Sequence, residues 1–271
     1  MNSLERKMVE VLIDLRENHC VNGVKAEFEA EGTRLEEALR LKEVVTEAGL
    51  GLTIKIGGCE AVRDMYEARV IGVQRVVGPM VESPHALRKY LAAVRLAFPE
   101  DERADVEFCV NVETVTGYEK FAEMLALPEI GELDGIVLGR VDMTGSLGMS
   151  REDINEPAIF TIASELFTQA KAADLACAMG GGVSAASLPF MRDLPAGCLD
   201  RYETRKVIFD CPAALQNGAD AGILKAVGFE LMWLKNKRDF YQAISCEDAM
   251  RLEMLQTRYD ALIEAAGGVY G

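Results

Sequence analysis

The chain has 271 residues, of which 49% are hydrophobic, 27% charged and 7% aromatic, and its formal net charge is −15. This length and hydrophobic content suffice to bury a sizeable core, so the composition excludes a disordered or fibrous protein. The acidic balance argues against DNA or RNA as a partner, because nucleic-acid affinity comes largely from clustered Lys and Arg. An anionic substrate would therefore need a local concentration of positive charge.

The cysteines and the first residues bear on the cellular compartment. Seven cysteines are scattered along the chain without a CxxC pair, which is typical of reduced thiols in the cytosol. The chain starts with an amphipathic, charged segment, MNSLERKMVEVLIDLREN, which does not resemble a signal peptide. No apolar run reaches transmembrane length. We predict a cytoplasmic protein with no membrane partner.

From residue 21 onward, short β-rich runs alternate with helical patterns such as RLEEALRLKEVVTEAG, which is typical of parallel βα units. The predicted strands are 24–29, 52–57, 74–80, 106–113, 135–142, 175–181 and 203–209. An eighth strand is assigned either to 229–235, FELMWLK, or to an element near the N-terminus. The pattern predicts a (β/α)8 TIM barrel as a single domain over residues 1–271, with residues 212–271 as a helical C-terminal extension.

Charged side chains recur within the predicted strands, although strands buried on both faces favour Val, Ile and Leu. Because side chains alternate along a strand, several of these residues share a face near its carboxyl end. Barrel enzymes build their active sites at that end, so the pattern predicts a site there. The alternative is that these charges form structural ion pairs. The groups that share a face are Lys25 with Glu27 and Glu29, Thr53 with Lys55, Asn111 with Glu113, and Arg140 with Asp142.

Two of these carboxylates suggest a metal site. Glu113 and Asp142 lie on different predicted strands separated by a helix, so both can reach one ion, with water or substrate oxygens as the other ligands. Carboxylate and water ligands suit Mg²⁺ or Mn²⁺, and other divalent cations are possible. With only two histidines and no HExxH pattern, a histidine-based zinc site is excluded.

The segment VNVETVTGYEKFAEMLALPEIGELDGIVLGRVDMTGSLG resembles the ET-x-x-G, LDGIxxG and D-x-x-x-SLG core of the HpcH/HpaI aldolase and citrate lyase beta subunit family, the pyruvate-dependent class II aldolases. The preceding stretch, IKIGGCEAVRDMYEARVIGVQRVVGPMVESPHAL, is similar to the same family, and the resemblance covers roughly residues 20 to 210. It implies that Glu113 and Asp142 are the metal ligands. It also implies that the backbone of Gly139, Arg140 and Val141 holds the substrate carboxylate.

This chain departs from the family pattern at two positions. Where the aldolases carry an Arg that clamps the oxo group, this chain has Lys55, which offers a point charge instead of a bidentate fork. The catalytic His of the family is replaced by the acidic stretch EFEAEG, which makes Glu29 or Glu31 the candidate base. Glu31 is alternatively a solvated loop residue or a helix-cap partner.

Two later segments are candidates for substrate binding. AMGGGVSAAS places Gly181 and Gly182 between a strand and a helix, where backbone N–H groups can bind a phosphate or carboxylate, unless the glycines only permit a tight turn. In RYETRKVIFD, Arg205 is either an anion clamp or an ion-pair partner of Glu203 or of a carboxylate on a neighbouring strand.

These residues and the resemblance together predict a carbon–carbon lyase that acts on a 2-oxo acid through a metal-stabilised enolate. Its partners would be the 2-oxo acid and an aldehyde, phosphorylated or sugar-derived. One alternative is citrate lyase-like or malyl-CoA lyase-like chemistry on an acyl thioester, in either direction. Another is a barrel without catalysis that acts as a binding subunit. The resemblance and the C-terminal helices favour a homo-oligomer.

Overall fold

Eight short strands close into one barrel in the order of the chain. The structure is a computed structural model, and it describes residues 1–268. The strands are β1 (Val21–Glu27), β2 (Gly51–Lys55), β3 (Arg75–Gly78), β4 (Glu107–Val112), β5 (Gly135–Gly139), β6 (Ala176–Gly180), β7 (Arg201–Glu203) and β8 (Val207–Asp210). The predicted barrel is thus confirmed.

Helices precede the barrel, connect its strands and follow it. They are α1 (Ser3–His19), α2 (Leu35–Glu47), α3 (Val62–Ile71), α4 (Pro84–Ala97), α5 (Glu100–Arg103), α6 (Val115–Glu119), α7 (Phe121–Leu125), α8 (Arg140–Ser146), α9 (Pro157–Ala172), α10 (Leu188–Asp193) and α11 (Ala219–Ala265). No helix within residues 1–268 is both long enough and apolar enough to cross a bilayer.

The chain divides into two compact units, residues 1–230 and 231–271. The first contains all eight strands and the first ten helices. The described part of the second consists of the remainder of α11, followed by residues 266–268. The predicted C-terminal extension, 212–271, is therefore helical over most of its length.

The last strands differ from the prediction. The run predicted as one strand, 203–209, contains the end of β7, a turn and most of β8. In the turn, the Thr204 amide donates to the Val207 carbonyl over 2.9 Å, and the Val207 amide donates to the Thr204 hydroxyl over 3.1 Å. β8 is antiparallel to both β7 and β1, so it needs no crossover helix. The candidate strand at 229–235 is wrong, because these residues lie inside α11.

The strand predicted over 135–142 also ends earlier, at Gly139. Residues 140–142 form the first turn of α8, where successive side chains are rotated by about 100°. Arg140 and Asp142 therefore do not share a face, and the prediction that they do is wrong. Likewise, β1 ends at Glu27 and leaves Glu29 in the following loop.

Period-two alternation separates the inside of the barrel from its outside. In β4, Phe108 faces outward and packs edge-on against Phe98 at the end of α4, with ring centroids 5.1 Å apart. Cys109 faces inward and packs with Val77 and Val137 in a small apolar layer. Burial raises the pKa of the Cys109 thiol to about 12, so this cysteine is an unreactive core residue.

Below that apolar layer, an ion cluster closes the amino-terminal end of the parallel strands. Arg75 and Arg201, at the starts of β3 and β7, both bind Glu107 at the start of β4 through pairs of hydrogen bonds of 2.7–3.1 Å. Arg75 also donates to the Thr53 hydroxyl on β2 over 3.1 Å. Some charges in the strands are thus structural ion pairs.

We expect Glu107→Gln to lower the free energy of unfolding by about 2 kcal/mol near neutral pH, because it leaves two partly buried guanidinium groups without their carboxylate. Burial opposes ionisation of Glu107, but the hydrogen bonds from Arg75 and Arg201 lower its pKa from 4.5 to about 2. A lowered folded-state pKa stabilises the fold above pH 4.5, and this contribution disappears as the pH falls towards 2. The difference between wild type and variant should shrink over the same range in urea titrations.

Glu132→Gln is the matched control, because Glu132 makes an exposed ion pair with Arg95. Exposed pairs contribute little, so this variant should unfold almost like the wild type. Equal effects of the two substitutions would contradict a structural role for the Glu107 cluster.

Candidate active site

A cavity of about 400 Å³ opens at the carboxyl ends of the parallel strands. Four cationic side chains line it, from Lys25, Lys55, Arg151 and Arg205. Carboxylates outnumber them. The six carboxylates that line the cavity belong to Glu27, Glu29, Glu113, Asp142, Glu203 and Glu230.

Small residues leave the space for this cavity. β5 ends at Gly139 and β6 ends at Gly180, and both line its wall. A Cβ atom on Gly139 would lie 2.6 Å from Glu113 Oε2, and one on Gly180 would lie 2.9 Å from Glu203 Oε1. The absence of a side chain at each glycine therefore leaves the space that the carboxylate of Glu113 or Glu203 occupies.

Glu113 directly follows β4 and is 2% exposed. Its Oε1 accepts the amide of Met80 over 3.1 Å, and its Oε2 accepts the side-chain amide of Asn111 over 2.7 Å. Burial raises the pKa of Glu113, against the opposing effects of Lys55 and these hydrogen bonds. The negative charge of Asp142 raises it further. The two carboxylates are therefore electrostatically coupled.

Asp142 reaches the same cavity from the first turn of α8. Asp142 is exposed, and its side chain makes no hydrogen bond or ion pair within residues 1–268. An unpaired carboxylate that borders the cavity is available to a ligand.

Lys55, at the end of β2, lies between two carboxylates. Its Nζ is 2.9 Å from Glu29 Oε2 and 3.6 Å from Glu113 Oε2. Burial disfavours the ammonium ion, but Glu113 and Glu29 outweigh that effect, and the pKa of Lys55 is raised. Lys55 is thus a protonated hydrogen-bond donor at neutral pH.

The residues around Glu113 fit a hard divalent cation. Within residues 1–268, no three His, Cys, Asp or Glu side chains form a ready-made metal cluster, so Glu113 and Asp142 would need oxygens from substrate or water. Asn111, whose side-chain amide donates to Glu113, has its Oδ1 buried without a hydrogen-bond partner among the described residues. The excess of two carboxylates over cations in the cavity wall matches the charge of one such ion.

Arg140, a predicted substrate-binding residue, is turned away from the cavity and is completely buried. Its guanidinium group donates to the carbonyls of Gly180 and Gly181, to the Asn155 side chain and to the Ser187 hydroxyl, over 2.6–3.3 Å. Burial lowers the pKa of Arg140 to about 10. Its side chain therefore anchors the glycine-rich loop, and only its backbone lies near the candidate site.

The glycine-rich loop approaches that backbone closely. Gly181 has φ +79°, and a Cβ on it would lie 2.7 Å from the amide nitrogens of both Arg140 and Val141. Gly182 has φ +67°. Gly139, Val141, Gly181 and Gly182 all line the cavity, next to Asp142. This arrangement is compatible with a role of these residues in substrate binding, which stays a prediction.

Glu31 occupies a different environment from Glu29. It forms ion pairs with Lys206 and, over 3.4 Å, with Arg205, and it accepts the amide of Glu27 over 3.3 Å. Glu31 thus ties the loop after β1 to the β7–β8 turn, and it is not among the side chains that line the cavity. Arg205 lies at the mouth, where it also faces Glu27 at 3.9 Å. The ion-pair partners of Arg205 are thus Glu27 on β1 and Glu31 in the loop after β1, whereas Glu203 pairs with Lys25.

Lys25 and Glu27, which the strand alternation placed in the predicted site without assigning them a role, line the cavity together with Glu203. Lys25 Nζ lies 2.5 Å from Glu203 Oε1 and 3.1 Å from Glu27 Oε1. Burial opposes the charge of Lys25, but Glu203 and Glu27 raise its pKa. The sequence signal was present in the Lys25–Glu27 alternation, but only ring closure, which leaves just β8 between β1 and β7, brings Glu203 within reach of Lys25.

Comparison with known proteins agrees with the barrel fold. The family profile described as HpcH/HpaI aldolase/citrate lyase matches residues 28–183, which is more than half of the chain. The class defined by fold and cavity is that of barrel enzymes with an active site at the carboxyl ends of the strands. The chain belongs to the HpcH/HpaI aldolase/citrate lyase family, whose members are aldolases and lyases. No curated protein matches it.

Solved structures share the fold at low sequence identity. An HpcH/HpaI aldolase from Desulfitobacterium hafniense DCB-2 is 15% identical, with a TM-score of 0.59 over 81% of this chain and 88% of that one. A family protein from Burkholderia cenocepacia J2315 is 15% identical, with a TM-score of 0.55 over 87% and 99%. The citrate synthase SbnG is 13% identical, with a TM-score of 0.57 over 86% and 90%.

We expect Gly139→Ala to destabilise the protein by about 1–3 kcal/mol, because the new methyl group would overlap the Glu113 carboxylate in a packed wall. Gly145→Ala in α8 is the matched control, because a Cβ there meets no atom within 4 Å and Ala favours a helix. Urea unfolding of both variants measures the difference. A Gly139→Ala protein as stable as Gly145→Ala would refute the close packing of Gly139 on Glu113.

Proposed function

We propose that this protein is a divalent-metal-dependent lyase that makes or breaks the carbon–carbon bond between a 2-oxo acid and an aldehyde. The observation that supports this most directly is that Glu113, Asp142, Lys55 and Glu29 line one cavity at the carboxyl ends of the strands. The chain's family, HpcH/HpaI aldolases and citrate lyases, uses related chemistry.

In this proposal, Glu113 and Asp142 hold a divalent cation such as Mg²⁺ or Mn²⁺. The cation, when bound, would draw electrons from the 2-oxo acid and so favour the enolate. The backbone of Gly139 to Val141, beside Gly181, would receive the substrate carboxylate. Lys55 would donate a hydrogen bond to the oxo oxygen as negative charge develops on it, because its ammonium group is held charged in the cavity.

Cleavage requires a base for the hydroxyl proton of a 4-hydroxy-2-oxo acid. When that proton leaves, the carbonyl of the aldehyde forms, the C3–C4 bond breaks, and its electron pair becomes the enolate of the shorter 2-oxo acid. The enolate then takes a proton at C3. Glu29 is the candidate for both proton transfers, because it borders the cavity and touches Lys55 at 2.9 Å. Glu31, the other predicted base, is engaged by Lys206 and Arg205.

The alternatives differ in what the cavity would have to do. A barrel that only binds partners needs no metal, so Mn²⁺ binding that depends on Glu113 and Asp142 would favour the enzyme over it. An acyl thioester would pass through the same type of enolate, so it is a second substrate class for the same residues. The predicted homo-oligomer stays a prediction.

We expect the protein to exchange the C3 protons of pyruvate with D₂O when Mn²⁺ or Mg²⁺ is present, because enolate formation and reprotonation need no aldehyde. Proton NMR measures the rate. Glu113→Gln and Asp142→Asn should slow exchange at least about 100-fold, and should weaken Mn²⁺ binding, followed by the EPR signal of free Mn²⁺.

Glu165→Gln is the control for these variants, because Glu165 is exposed on α9 and pairs with the Tyr118 hydroxyl. Mn²⁺ binding without pyruvate exchange would redirect the proposal to acyl thioesters or another oxo acid. Undiminished Mn²⁺ binding by both Glu113→Gln and Asp142→Asn would refute the proposed metal ligands.

Replacement of Lys55 should separate catalysis from metal binding. We expect Lys55→Met to slow exchange by about 100- to 1,000-fold, because the developing oxyanion loses its donor. Mn²⁺ binding should not weaken, since a positive charge near Glu113 is removed. Lys89→Met, which removes an exposed ion pair with Glu60, is the matched control. Exchange by Lys55→Met at the wild-type rate would rule out the role assigned to Lys55.

A further inference from the structure

One buried cation of this barrel has no negative partner. Within residues 1–268, five cationic side chains are buried, and four of them, those of Lys25, Lys55, Arg75 and Lys206, form ion pairs with glutamates. Arg140 is the fifth. Its side chain is completely buried, and it forms no ion pair with any residue in the described part of the chain.

Every acceptor that the guanidinium group of Arg140 reaches is neutral. The acceptors are the carbonyls of Gly180, Gly181 and Ile154, Asn155 Oδ1 and Ser187 Oγ, over 2.6–3.4 Å. The Phe190 ring, 5.2 Å from Arg140 Cζ, adds a weaker attraction for the cation. These groups satisfy the N–H donors, but none of them carries a charge. Because a guanidinium group keeps its proton in a protein, one positive charge stays uncompensated.

Anchoring the glycine-rich loop does not by itself require this charge. Carbonyl groups need hydrogen-bond donors, and a neutral donor is less costly to bury than an ion. A buried ion is normally accompanied by an opposite charge, as the other four buried cations of this barrel are. Since residues 1–268 supply no such charge to Arg140, a ligand is the remaining source.

The guanidinium group lies close behind one wall of the cavity. Gly180 and Gly181 accept its hydrogen bonds through their carbonyls, and both residues also line the cavity. A Cβ on Gly181 would lie 2.7 Å from the amide nitrogens of Arg140 and Val141, so the loop and the end of β5 form one closely packed layer. Charges that interact across packed backbone are screened less than charges in water.

We propose that the uncompensated charge of Arg140 attracts the carboxylate of the 2-oxo acid to this wall, so that Arg140 is a positioning residue for the substrate as well as an anchor of the loop. This inference rests on the proposed function, in which the backbone of Gly139 to Val141 receives that carboxylate. Arg140 acts through the packed backbone and does not touch the substrate. The substrate carboxylate supplies the negative charge that the folded chain lacks.

Asn155→Asp tests this role without removing a hydrogen bond. Arg140 Nη1 donates to Asn155 Oδ1 over 2.6 Å, so the substitution keeps the acceptor and its shape but gives Arg140 an internal negative partner. The Kd of pyruvate for the Mn²⁺-loaded protein, measured by isothermal titration calorimetry, should rise about tenfold, because the charge of Arg140 is then compensated before pyruvate binds. Urea unfolding should show a protein at least as stable as the wild type.

A purely structural role of Arg140 predicts a different result. A charged acceptor strengthens the hydrogen bond to Arg140, so the loop would be held at least as firmly and pyruvate would bind as in the wild type or more tightly. Either of these results in a folded Asn155→Asp protein overturns the inference. Asn217→Asp is the matched control, because Asn217 is exposed and does not line the cavity. An equal loss of pyruvate affinity in this control would also overturn it.

Arg140→Gln is the second variant if Asn155→Asp does not fold. The Kd of pyruvate should again rise about tenfold, because the positive charge is lost. Mn²⁺ binding without pyruvate, followed by the EPR signal of free Mn²⁺, should be unchanged or tighter, since a cation near the proposed metal ligands has been removed. A disturbed loop would weaken the binding of both Mn²⁺ and pyruvate. That result, or unchanged pyruvate binding, would count against the electrostatic role.

Proton exchange from pyruvate by the wild type distinguishes failure of this inference from failure of the proposed function. If the wild type exchanges the C3 protons and Asn155→Asp binds pyruvate equally well, the proposed chemistry stands and the role of Arg140 falls. A wild-type protein that neither binds pyruvate in the presence of Mn²⁺ nor exchanges its protons overturns both.

Discussion

The interior of this barrel is organised by the need to pair buried charges, because removing an ion from water costs several kcal/mol unless a partner compensates it. At one end, Glu107 receives two guanidinium groups and closes the barrel. At the other end, Lys25 and Lys55 each bridge two carboxylates. Only a thin apolar layer around Cys109 separates the two ends. At the carboxyl ends of the strands, carboxylates outnumber cationic side chains, and this excess of negative charge suits a bound cation.

The position of the cavity follows from small residues and from one buried arginine. Gly139 and Gly180 end their strands without side chains, and the carboxylates of Glu113 and Glu203 occupy the space they leave. Arg140, whose side chain points away from the cavity, donates hydrogen bonds to the carbonyls of Gly180 and Gly181 and so restrains the end of β6 and the loop that follows. The candidate site is therefore assembled on strand ends and on a loop whose backbone is restrained, which favours a fixed arrangement of catalytic groups.

Two departures from the family pattern acquire a physical meaning in this structure. Lys55 replaces a planar guanidinium group with a compact ammonium ion, and it has Glu29 as a direct partner. The acidic stretch EFEAEG, in place of the family's histidine region, contributes Glu29 to the cavity and Glu31 to an ion-paired connection with the β7–β8 turn. One short sequence thus supplies both a chemical group and a structural one.

The sequence by itself determined the barrel, the family and the residue types at the strand ends, because period-two alternation and short motifs are local properties of the chain. It did not determine that β5 stops at Gly139. GIVLGRVD reads as one continuous β-like run, but its last residues form the first turn of α8 in the folded chain. Nor did it distinguish Glu29 from Glu31, or connect Lys25 with Glu203, which are 178 residues apart. Closure of the sheet decided those pairings, because the partner of a buried charge depends on which strands become neighbours in space.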